Sequence, residues 1–108
     1  MIVGVLRVSL RCPEGDSLKG KRKIVQKIKE RVRSRFNASV AEVGDNELWQ
    51  RITLGVSVVG NESPFVNSQL DRILDFIDRL YLARILDHAI ELIPFGDGFD
   101  DDLGDPDW

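Results

Sequence analysis

The sequence predicts an α+β fold of βαββαβ order, with two helices packed on one face of a four-stranded antiparallel sheet. Three observations carry that prediction. Short runs rich in Val, Ile and Leu occupy residues 2–10, 38–43, 51–59 and 83–93. Two longer segments between them repeat apolar residues at helical spacing, and Pro, Gly, Asn and Asp gather at the joints.

Ile2 to Leu10 is short and β-branched, which favours a strand, and "RCPEGDS" breaks it with Pro13 and Gly15. Ser17 is placed to cap a helix in which Leu18, Val25, Ile28, Val32 and Phe36 share one stripe, with Ile24 on its flank. The stretch from Ala38 to Val59 reads as a hairpin of strands 38–43 and 51–59 joined through Gly44, Asp45 and Asn46. Trp49, in that connection, reads as a packing residue. "NESPFVNSQLDRILDFIDRL" then supplies a cap at Ser63, a proline at the first helical position (Pro64), and apolar residues at Val66, Leu70, Ile73, Ile77 and Leu80. "ARILDHAIELI", ended by Pro94 and Gly96, completes the set as a last strand. This order is the split βαβ, or ferredoxin-like, pattern.

A chain of 108 residues fits one domain, here 1–95, followed by an acidic segment over 96–108 that lacks periodicity and reads as disordered. The formal charge of -3 conceals an uneven distribution. Residues 1–96 hold all fifteen bases and twelve acids, while six aspartates and no base follow from Asp97. The domain is therefore mildly basic and the tail strongly acidic, an asymmetry that suggests a polyanion partner or a solvating tail.

Cys12 stands alone, so the composition does not require an oxidising compartment. The apolar start is interrupted by Arg7, lacks a basic n-region, and offers no small-residue cleavage site, so it does not read as a signal peptide. No run of about eighteen apolar residues provides a membrane span. These features predict a soluble, cytoplasmic protein.

The first helix carries the strongest functional signal. "SLKGKRKIVQKIKERVRSRF", Ser17 to Phe36, contains nine bases and one acid, Glu30. Lys19, Lys23, Lys27, Arg31 and Arg35 form an i, i+4 row. Its four like-charge contacts cost an isolated helix a total of about 1 kcal/mol. Lys19, Lys21, Arg22 and Lys23 crowd the helix start, where the macrodipole disfavours cations and free backbone N–H groups favour anions. An anionic partner explains this placement. The competing explanation is interhelical pairing with Asp71, Asp75 and Asp78, which lie along one ridge of the second helix. Lys21 differs from the others because it falls inside the apolar stripe. Its stem is expected to lie along the sheet, with the ammonium meeting either Glu42 or a ligand.

Other residues give weaker signals. His88 is the only histidine and has no second ligand at metal spacing, and Cys12 reads as an inert thiol. No GxGxxG or P-loop is present, so neither metal nor cofactor is predicted, and no catalytic residue is assigned. Alternation places Val3, Val5, Arg7, Ser9 and Arg11 on the sheet's open face, with Thr53, Gly55, Ser57 and Val59 beside them. These two strands offer no aromatic for base stacking, which disfavours RNA reading by the sheet face. Their partly apolar character suits self-association instead.

The segments "SLKGKR" (17–22) and "SVAEVGDNELWQRITLG" (39–55) resemble the YlxP-like family, small bacterial proteins of unknown function. The resemblance covers roughly residues 1–93 and implies a ferredoxin-like fold, while the acidic tail departs from the family pattern. Genes of that family often neighbour those for translation initiation and ribosome maturation factors, which implies a role near ribosomal RNA. It supplies no catalytic residues.

Together these readings predict a non-enzymatic binding protein that contacts structured RNA, in the ribosome or a ribosomal precursor, through Lys19, Lys21, Arg22, Lys23, Lys27, Arg31 and Arg35. The alternative is a homo-oligomeric interaction module, a dimer through the open sheet face, whose basic helix engages an acidic protein.

Overall fold

The structure, a computed structural model, describes residues 1–13, 17–44 and 48–96. Its elements run β1 (Ile2–Arg11), α1 (Leu18–Arg35), β2 (Ser39–Gly44), β3 (Arg51–Gly60), α2 (Ser63–Arg79) and β4 (Arg84–Pro94). The predicted order is the observed one. The sheet is four-stranded and antiparallel in the order β2-β3-β1-β4. The connection from 45 to 47 and the acidic tail beyond Gly96 lie outside the described residues.

Alternation along the strands builds the core. Ile2, Leu6, Val8 and Leu10 of β1 and Ile52, Leu54, Val56 and Val58 of β3 are buried beneath the helices. Val25, Ile28 and Val32 of α1 and Val66, Leu70, Ile73 and Ile77 of α2 close over them. The open face carries the alternate residues, as the sequence predicts, although Ser9 and Thr53, opposite one another in the ladder, are buried on that side.

The helix starts differ in their chemistry. Ser17 caps α1, its Oγ accepting from the Gly20 N–H at 3.2 Å. The second helix begins one residue earlier than predicted, because Glu62, not Ser63, occupies the cap position and makes no side-chain cap bond. Proline has no N–H to lose in a first turn and is tolerated at more than one of its positions, so Pro64 does not fix the boundary to a single residue. Trp49 lies in a turn and is 36% exposed.

Gly4 sets how closely α2 approaches the sheet. A Cβ added there would press on Val66 Cγ1 and sit 2.8 Å from Leu70 Cδ1, both on fully buried side chains of α2. Gly4→Ala is expected to destabilise the protein by about 1–3 kcal/mol through overpacking, measured by urea unfolding. An unchanged unfolding midpoint would show that α2 can retreat freely.

Candidate nucleic-acid interface

The apolar stripe turns α1 so that its remaining surface faces solvent. Lys19, Lys23, Lys27, Arg31 and Arg35 are all exposed, as is Arg22. At 1.5 Å rise per residue, this row extends about 24 Å along the helix.

The predicted competition from the second helix is absent. Among the described residues, Lys19, Arg22, Lys23, Lys27 and Arg31 make no ion pair. The α2 carboxylates are engaged locally: Asp75 pairs with Arg79 at 3.0 Å, and Asp71 accepts from the Asn67 amide at 3.3 Å. Glu30, the one acid of α1, accepts from Gln26 at 3.2 Å. Contact between the helices is instead aromatic, with Phe36 and Phe76 edge to face at 5.5 Å. Arg35 lies 5.3 Å from the centre of the Phe76 ring, so it holds the two helices together as well as ending the row. Arg33 is likewise occupied, donating from Nη2 to the Val40 carbonyl on edge strand β2 at 2.9 Å.

Lys21 must be taken out of the predicted interface. Only 1% of its side chain is exposed, and its Nζ lies 2.7 Å from the Leu48 carbonyl oxygen and 3.0 Å from Glu42 Oε2. The register explains this meeting. Val40 and Glu42 pair with Val56 and Leu54 on the helix-covered face, before an irregularity between Glu42 and Gly44 shifts β2. Glu42 Oε2 is buried, and its contact with Lys21 is ionic rather than a well-aligned hydrogen bond. An ammonium held by an internal carboxylate and carbonyl is not presented to an external anion.

Sequence reasoning missed a second set of cations. The ladder places Arg11 opposite Arg51 on β3 and opposite Arg84 on β4, so three arginines stand side by side across the open face. Like charges directly opposed on a sheet are destabilising. No local pattern announces such a row, because it depends on the register of three strands. His88 is exposed beside Asp71, Asp75 and Asp78, and Cys12 is buried. No cluster of metal-ligating side chains occurs among the described residues. No described helix is long and apolar enough to cross a membrane.

The fold and this surface define a small α+β protein with a ferredoxin-like sheet and a cationic helix. The chain belongs to the DUF503 family, described as a protein of unknown function, whose model matches residues 3–90. It is similar to the uncharacterized protein YlxP of Bacillus subtilis (strain 168), with 37% identity over 65 residues covering 60% of this chain and 71% of that protein. Among solved structures, the designed protein Foldit4 matches with a TM-score of 0.53 and 15% identity, over 86% of this chain and 96% of its own. The designed ferredoxin-fold protein LFR1 1 matches with a TM-score of 0.50 and 15% identity, over 90% and 89%. These likenesses concern the fold alone.

Proposed function

We propose that this protein is a cytoplasmic, non-enzymatic binding protein that contacts the phosphates of structured RNA, ribosomal or pre-ribosomal, through α1. The supporting observation is the exposed row from Lys19 to Arg31, which has no ion pair among the described residues although α2 carries acids nearby. A row that lowers helix stability without serving the fold is accounted for by a polyanion. A ribosomal target comes from the family resemblance. Binding of this kind is directed by shape and weakened by salt, because each neutralised phosphate releases counterions.

Co-sedimentation with ribosomal subunits tests the reading. Protein in the pellet at about 50 mM salt and its release by about 300 mM is the expected result. Protein that stays in the supernatant at the lower salt overturns it. An acidic protein partner would instead give a complex that survives in nuclease-treated lysate.

A second reading, a homodimer through the open sheet face, has its own support. Val3 lies between Val59 and Ile93 in the ladder, and those two are 58% and 38% exposed. Met1 and Phe95, joined by a backbone hydrogen bond, add exposed apolar surface at the same end. This reading predicts a dimer by sedimentation equilibrium at high micromolar protein, and a monomer there removes it.

A further inference from the structure

The turn from α2 to β4 contains the one non-glycine residue with positive φ among the described residues. Tyr81, at φ 55°, follows the helix end at Leu80, and its N–H donates to the Asp78 carbonyl at 3.3 Å. Glycine is the usual residue at this place, because a Cβ disfavours the left-handed conformation. A tyrosine can offset that cost by packing its ring. This ring does not pack, since Tyr81 is 87% exposed. The strained backbone and the presented aromatic are therefore both unexplained by the fold.

The surroundings of the ring indicate what it could meet. A hollow of about 510 Å³ lies between the end of β1 and this turn, lined by Arg11, Pro13, Tyr81, Leu82 and Arg84, with Asp78 as its carboxylate. Arg11 and Arg84 are directly opposed in the ladder, both are exposed, and neither makes an ion pair among the described residues. The helix α1 starts at the same end of the molecule, because β1 ends at Arg11 and α1 begins at Leu18. An RNA strand following the α1 cations toward the helix start would thus arrive at the end of the molecule that carries Tyr81.

We propose that this hollow is a nucleotide site, in which Tyr81 stacks on an unpaired RNA base while Arg11 and Arg84 take the flanking phosphates. Aromatic stacking accepts any base, and unpaired nucleotides in loops are where proteins reach RNA bases. The proposal rests on the RNA-binding reading of α1 and extends it from duplex phosphates to a single-stranded element.

Two RNA probes separate the two ideas: octauridylate, which has only unpaired bases, and a blunt duplex of about twelve base pairs. Tyr81→Gly is expected to raise the melting temperature by about 4 °C, by relieving the left-handed tyrosine. The same variant is expected to lose at least about fivefold in octauridylate affinity and to leave duplex affinity unchanged. Tyr81→Phe, which keeps the ring, retains octauridylate binding. Arg11→Gln combined with Arg84→Gln lowers octauridylate affinity further. Unchanged octauridylate affinity in Tyr81→Gly, with the duplex still bound, overturns the nucleotide site and leaves the α1 reading intact. A lowered melting temperature in Tyr81→Gly gives the ring a structural role and overturns it. A dimer dissolved by Tyr81→Gly assigns the ring to a second copy and has the same consequence. Failure of the wild-type protein to bind either probe removes both readings.

Discussion

Lys23→Glu combined with Lys27→Glu will stabilise the fold and weaken RNA binding, two effects of opposite sign from one change. In the native helix, Lys19 to Lys23, Lys23 to Lys27 and Lys27 to Arg31 are repulsive i, i+4 contacts between exposed side chains. The double replacement makes the outer two attractive and leaves the central one repulsive, now between two acids. Converting those two contacts at about 0.2–0.5 kcal/mol on each side of zero yields about 0.8–2 kcal/mol, less about 0.4–1 kcal/mol because residue 27 then repels Glu30 at i, i+3 where Lys27 attracted it. The net gain is about 0.4–1 kcal/mol, or about 2–8 °C in melting temperature for a domain of this size. Neither lysine makes an ion pair among the described residues, so no structural partner is lost. RNA affinity falls of order 50-fold near 0.1 M salt, because two phosphate contacts are lost there. Thermal melts and equilibrium binding to a structured ribosomal RNA fragment read the two effects separately. A variant that melts lower than the native protein would mean the row serves the fold.

Lys21→Met tests the opposite kind of lysine. It removes the counter-charge from Glu42 and the donor from the Leu48 carbonyl, at a site where the lysine side chain is 1% exposed and the glutamate 19%. Breaking a buried pair by removing one partner costs about 3–5 kcal/mol, and the residual exposure of Glu42 places this case near the lower end. The melting temperature is expected to fall by more than about 10 °C. Lys21→Met with Glu42→Leu recovers most of the loss, since a buried ion pair and an apolar pair of similar size have similar stability. RNA affinity of the folded single variant stays unchanged. Denaturant unfolding of the four proteins in this cycle measures the coupling between the two residues. A single variant as stable as the native protein would contradict the buried pairing.

The two kinds of lysine also show how far the sequence carries. The periodicity of α1 separates a stripe from a charged surface, and the wheel position of Lys21 inside that stripe marks it as different. Glu42 is one of the two partners the sequence offers it, but the choice between Glu42 and a ligand is not legible in the helix, because it depends on the register of β2 on β3. The interhelical pairing of Asp71, Asp75 and Asp78 was a fair expectation from spacing. It fails because Asp71 and Asp75 have partners one turn away on their own helix, and Phe36 and Phe76 occupy the helix contact.

Strand positions and order are readable because short runs rich in Val, Ile and Leu and the turn residues agree along the chain, although β4 does not alternate cleanly. What lay beyond reach depends on three-dimensional neighbours or on an atypical residue. Arg11, Arg51 and Arg84 are forty and thirty-three residues apart, and only the ladder aligns them. Tyr81 occupies a helix-terminal position where the usual signal is glycine, so its left-handed backbone leaves no mark in the sequence.

If the cations of α1 neutralise phosphates, RNA binding must respond to salt as counterion release requires. The most direct test is the affinity of the native protein for a structured ribosomal RNA fragment across a salt series. About four or five contacts along the row predict that log K falls linearly with log salt concentration, with a slope of roughly -3 to -5. The Lys23→Glu and Lys27→Glu protein should lose about two units of that slope. A flat response, or no binding at low salt, would contradict the account.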